Sequence, residues 1–174
     1  HDLGHEIFLI LQGQARFEIA NEEAELGPGQ LCIARADEPH QVHVVGAEPM
    51  VMYLSVTPHV QPTHTSRTNT GQAGPARTQP SSAYDTATDM DTPITKLVDR
   101  YSESARRLAE TAIENARIQQ EIAGSLKQSL AAGDEIATEK ARNALWQGLY
   151  QTYTEFYTLT DLWNDVAPRA GKVG

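Results

Sequence analysis

The stretch His1-Asp2-Leu3-Gly4-His5-Glu6-Ile7-Phe8-Leu9-Ile10-Leu11-Gln12-Gly13 decides how the first part of the chain folds. Ile7 to Leu11 is a short apolar run stopped by the turn signal Gln12-Gly13-Gln14, which has strand length. The same pattern repeats downstream in Ala15-Arg16-Phe17-Glu18-Ile19, Leu31-Cys32-Ile33, Val42-His43-Val44-Val45 and Met50 to Val56. Turn signals separate these runs at Asn21-Glu22-Glu23, Gly27-Pro28-Gly29, Asp37-Glu38-Pro39 and Gly46-Ala47-Glu48-Pro49. Strands spaced about 8–12 residues apart, with no helical period between them, predict a small antiparallel barrel or sandwich over residues 1–59.

Beyond residue 59 the composition changes twice. Residues 60–91 are dominated by Thr, Ser, Gln, Pro, Gly and Ala, with almost no large aliphatic side chain. Such a segment buries too little apolar surface to offset its ordering entropy and reads as a flexible linker. Residues 92–168 are predicted to be helical, leaving a tail at 169–174. Thr92 is placed to cap a first helix with Pro93 at its first position. Ile94, Leu97, Tyr101, Ala105, Leu108, Ala112, Ile122, Leu126 and Leu130 follow at three–four spacing, with polar Asn115 and Gln119 in the seam. Gly133 and Asp134 supply a left-handed stop and a new N-cap. Ile136, Ala141, Leu145, Leu149, Tyr153, Phe156, Leu159 and Val166 then mark a second helix ending near Pro168. The expected fold class is α+β, an antiparallel barrel followed by a long antiparallel two-helix hairpin.

Composition excludes several functions. The chain of 174 residues carries 14 Lys+Arg against 23 Asp+Glu, a formal charge of -9, which lacks the clustered basic face of a nucleic-acid binder. Residues 92–168 hold 8 Lys+Arg against 11 Asp+Glu, so they do not form a basic membrane-surface helix. No apolar run approaches the roughly 20 residues that span a bilayer, and no signal-peptide pattern is visible. The single cysteine, Cys32, fits a reducing compartment, and a cytoplasmic setting is expected.

All six histidines fall in the first 64 residues: His1, His5, His40, His43, His59 and His64. Imidazole is the commonest ligand for first-row transition metals, and a neighbouring carboxylate is typical of open sites. His1-Asp2-Leu3-Gly4-His5-Glu6 through Gly13 resembles the first cupin motif, in which a histidine pair is followed by Glu and, later, Gly. Gly29-Gln30-Leu31-Cys32-Ile33-Ala34-Arg35-Ala36-Asp37-Glu38-Pro39-His40 resembles the second, a turn glycine, a strand and then Pro-His. The resemblance covers roughly residues 1–57. It implies a six- to eight-stranded jelly roll with a metal in its mouth, and His1, Glu6 and His40 as the ligands. It also implies a further histidine two positions before His1 and strands ahead of it, which the intact protein is expected to have. The ion would be Fe, Mn, Ni, Cu or Zn.

The remaining histidines are weaker candidates. His5 adjoins Glu6, and His43 is three beyond His40, so each is expected to face away from the site. His59 and His64 follow the last strand, where an extended path could lay one of them across the barrel mouth; their role stays open. Phe8, Ile10, Ile33 and Val44 are expected on the barrel wall where they face inward.

Two functions stay open. One is a metal-dependent enzyme of the oxidoreductase or isomerase type, such as a dioxygenase, acting on a small molecule. The other is a non-catalytic small-ligand binder whose helical arm mediates oligomerisation or signalling. A two-helix hairpin has little core of its own, so residues 92–168 are expected to form a homodimer through a coiled-coil-like bundle, with docking onto the chain's own barrel as the rival. The aromatic series Trp146, Tyr150, Tyr153, Phe156, Tyr157 and Trp163 is read as packing surface rather than as a ligand cage.

Overall fold

A computed structural model describes residues 1–61, 64–68, 70, 72–77 and 87–171. Contacts divide the chain into two units, one of strands and one of helices.

The strand unit begins with β1 (His5–Gln12), β2 (Gln14–Ile19), β3 (Glu22–Leu26), β4 (Leu31–Ala34), β5 (His40–Val45) and β6 (Val51–Thr57). They form two antiparallel three-stranded sheets, β4-β1-β6 and β3-β2-β5. Gly13 lets the chain pass from one sheet to the other. Its φ of 72° is left-handed, and a Cβ there would lie 2.7 Å from the Pro49 carbonyl oxygen. Side chains alternate across each strand, so register decides what is inside. Phe8 and Ile10 of β1 point inward and meet Ala15 and Phe17 of β2 and Ala34 of β4 in one buried core. The Phe8 and Phe17 rings are 5.1 Å apart and tilted, which locks the two sheets together.

The same alternation corrects the barrel wall expected from sequence. Phe8 and Ile10 line the interior, but Ile33 pairs with outward Ile7 and is 48% exposed. Val44 stands opposite buried Ala15, yet β5 is an edge strand and Val44 is 57% exposed. Strand β3 was not expected, because Glu22, Glu23 and Glu25 mask its pattern. Their charges suit its place at a sheet edge, where unpaired backbone would otherwise recruit another chain.

The segment 60–91, expected as a linker with its start open to anchoring, carries strands in its first part. β7 (His64–Arg67) and β8 (Ala73–Arg77) form an antiparallel hairpin in which His64 is opposite Arg77. Thr65, a β-branched residue, and strand pairing compensate there for the lack of large aliphatic side chains. The rest of that expectation, over 78–86, lies outside the described residues.

The helical unit contains α1 (Ile94–Ala132) and α2 (Glu135–Val166), antiparallel and packed along their length. At 1.5 Å per residue they run about 58 and 48 Å. Thr92 is not the cap of α1. Pro93 takes that position with an extended ψ of 135°, and its carbonyl accepts from Lys96 and Leu97. The Asp89 carboxylate instead accepts from the backbone N–H groups of Asp91 and Thr92. These bonds hold its acidity on the strong side of the ordinary carboxylate range. Arg169, expected in the tail, donates to the carbonyls of Asp89 and Thr92 and so fastens the start of α1 to the end of α2. The turn between the helices follows expectation: Gly133 is left-handed at φ 66°, and the Asp134 side chain accepts from Ala137 N–H. The seam is polar at its centre. Gln119 donates to Asn115 Oδ1 and to the Leu145 carbonyl, both at 3.0 Å. Gly148 allows this approach, since a Cβ there would lie 2.4 Å from Asn115 Oδ1. Among the described residues no helix is long and apolar enough to cross a membrane.

Candidate metal centre

Glu6 occupies the same inward row of β1 as Phe8 and Ile10, and the alternation that buries those two buries its carboxylate to 3% exposure. His40 opens β5 opposite Ile19, in the inward row that continues to Val42. The two sheets thus deliver an acid and an imidazole to one end of the core. His40 Nε2 lies 2.8 Å from Glu6 Oε2, and Nδ1 lies 2.8 Å from the Glu38 carbonyl oxygen. Since a carbonyl only accepts, Nδ1 carries a proton and Nε2 is the atom turned to the site. The bond to Glu6 raises the His40 pKa above its ordinary 6.5; burial opposes this, and the Glu38 carbonyl adds to it.

His1 completes the group. Its backbone carbonyl accepts from Asp37 N–H at 2.8 Å, which ties it to the loop between β4 and β5. Its Nε2 lies 2.5 Å from the same Glu6 oxygen. That close approach lacks hydrogen-bonding geometry, and both ring nitrogens of His1 are buried without a hydrogen bond. The His1 and His40 rings stack with centroids 5.7 Å apart. One donor atom from each of His1, Glu6 and His40 falls within 4.8 Å of the other two. Two imidazoles and one carboxylate with donor atoms within 4.8 Å of one another, the His1 ring nitrogens making no hydrogen bond, form a donor set suited to a first-row divalent ion.

The other histidines separate as their parity predicts. His5 is exposed on the outer side of β1. His43 is exposed opposite Arg16, with Nε2 3.5 Å from a Glu18 oxygen. His64 is brought close: its ring lies edge-on to His1 with centroids 4.4 Å apart. His59 is half-buried outside the three-residue donor set.

A cleft of about 610 Å³ opens over the site, with His1, His40 and His64 on its wall. Glu18, Asn21, Gln41 and Thr65 are among its polar lining. The β7–β8 hairpin supplies one side and is tied down through Thr65 and Arg67. Thr65 Oγ1 donates to Asp2 at 3.0 Å, and the Arg67 guanidinium pairs with Asp37 and Asp2. Thr65, Arg67 and Asp37 were not singled out from the sequence. Arg67, a cation within a Thr- and Ser-rich stretch, was the one local signal that this stretch had a fixed partner.

Residues 1–57 match the family model described as the cupin domain. This part of the chain is similar to the cupin domain. The match spans the two sheets and all three converging donors, in a family where metal binding is common. Comparison with curated proteins and with solved structures gives no match.

Proposed function

We propose that the cupin domain holds a divalent transition-metal ion on His1 Nε2, Glu6 and His40 Nε2 and presents it to a small, oxygen-rich molecule in the adjoining cleft. The observation that carries this reading is the meeting of the three donors, with the His1 ring nitrogens buried and making no hydrogen bond. An ion bound there would act as a Lewis acid on a ligand oxygen or support dioxygen chemistry, according to whether it is Zn or Ni on one hand, Fe, Mn or Cu on the other.

The chain's own residues do the rest. The Glu38 carbonyl holds Nδ1–H of His40, so that its Nε2 keeps a fixed aim, the usual role of an outer partner to a ligand histidine. Asp37 N–H keeps His1 in place through its backbone. Asn21, Gln41 and Thr65 offer donors and acceptors to hydroxyl or carbonyl groups. Among the described residues the cation on that wall, Arg67, is paired with two aspartates, so the cleft suits an uncharged polar ligand better than a polyanion. The partly buried Cys32 is compatible with a reducing, cytoplasmic setting.

Elemental mass spectrometry of protein purified without chelator or histidine tag tests the reading. Near-stoichiometric Fe, Mn, Ni, Cu or Zn is expected, falling at least tenfold in His40→Ala and Glu6→Gln. Absence of metal from all three samples, with the wild type folded, would leave the second reading, a metal-free ligand-binding domain.

A further inference from the structure

The α1–α2 hairpin has two unlike sides. On α1 the seam runs through Leu97, Ser104, Leu108, Asn115, Gln119 and Ile122; on α2 it runs through Ala141, Leu145, Gly148, Thr152 and Leu159. A helix advances 100° per residue, so the residue after each seam position turns to one side and the residue before it to the other. Because the helices are antiparallel, the following positions of both look out on the same broad side. On α1 these are Val98, Ala105, Ala109, Ala116, Gln120 and Ala123. On α2 they are Trp146, Leu149 and Tyr153, with Phe156 in line and Tyr150 and Tyr157 flanking them. From Val98 to Ala123 and from Trp146 to Thr160 this side carries no Asp, Glu, Lys or Arg, in a chain that is 21% charged; Arg142 bounds it near the turn. The ion-paired groups Glu103–Arg106–Glu110 and Glu114–Arg117–Glu121 all lie on the other side or the back of α1.

We propose that this charge-free side is the interface with a second copy of the chain. Trp146, Tyr150, Tyr153 and Tyr157 are each 55–56% exposed. With Leu149, Phe156 and Val98, each at least 40% exposed, they turn a contiguous apolar surface to water of the kind that a protein–protein interface covers. The side is complementary to itself, bulky on α2 and small on α1. A two-fold axis along the hairpin sets the aromatic stripe of each copy on the alanines of the other, giving a four-helix bundle with large-on-small layers. This inference is independent of the metal reading.

Sedimentation of the full chain tests it, with three variants checked for helical content by circular dichroism. The wild type should sediment at twice 19.1 kDa. Tyr153→Glu and Ala109→Glu should each shift it to the single-chain mass with helix retained, weakening association at least a hundredfold. Thr154→Glu, one residue along but on the polar side, should leave the dimer intact. A wild type of single-chain mass, or a dimer that survives either of the first two substitutions, would overturn the proposal.

Discussion

Burying the Glu6 carboxylate costs several kcal/mol unless donors or cations face it, and His40 does so with a hydrogen bond of 2.8 Å. In the metal-free protein the His40–Glu6 bond needs a proton on His40 Nε2, which is why its pKa is raised. The linkage has a definite sign. The stability from this pair is fully present below about the ordinary pKa of 6.5 and is lost as pH rises through the higher folded value. Metal binding runs the other way, because an ion and a proton compete for the same nitrogen. Occupancy measured by equilibrium dialysis should therefore climb with pH through the region above 6.5 in the wild type. A flat profile between pH 6 and 8, at subsaturating metal, would remove His40 from the ligand set.

At the scale of elements, two glycines decide whether strands and helices can approach. Gly13 turns the chain between sheets against Pro49, and Gly148 brings α2 onto Asn115. Gly13→Ala should cost about 1–3 kcal/mol, from a left-handed φ that alanine resists and a Cβ pressed on a carbonyl. Gly148→Leu should cost about 1–3 kcal/mol by forcing the helices apart and breaking the Asn115–Gln119 contact. Denaturant titration followed by far-ultraviolet circular dichroism measures the second directly, since α1 and α2 dominate that signal. A midpoint equal to the wild type would show that Asn115 can swing away at no cost.

For the molecule as a whole, the two tryptophans form a convenient probe, because Trp146 and Trp163 both belong to the helical unit. Trp146 lies on the charge-free side, while Trp163 packs against Tyr101. If two chains pair through that side, the thermal transition followed by tryptophan fluorescence must rise with protein concentration. A tenfold increase in chain concentration should raise it by a few degrees, and Tyr153→Glu should abolish the dependence. Concentration independence in the wild type would contradict pairing.

Much of this protein was legible in the residues taken in order. Alternating runs and turn glycines marked five strands, three–four spacing marked both helices, and Gly133-Asp134 marked their turn. Each of these signals is carried by neighbours in sequence, where periodicity and turn chemistry operate. The resemblance to two cupin motifs, rather than any local pattern, pointed to His1, Glu6 and His40, whose donor atoms lie within 4.8 Å of one another. Tertiary structure decided what depends on distant partners. It buried Glu6 and exposed Ile33 through strand register, and it made a strand of the acidic β3 by pairing it with β2. It drew the stretch around Thr65 and Arg67 onto Asp2 and Asp37, residues 63 and 30 positions away. It put Pro93 rather than Thr92 at the cap of α1 and tied the segment ahead of it through Asp89 and Arg169. A local pattern states that a residue prefers a strand or a helix; only the closure of the chain on itself states which side of that element meets the core and which is left for a partner.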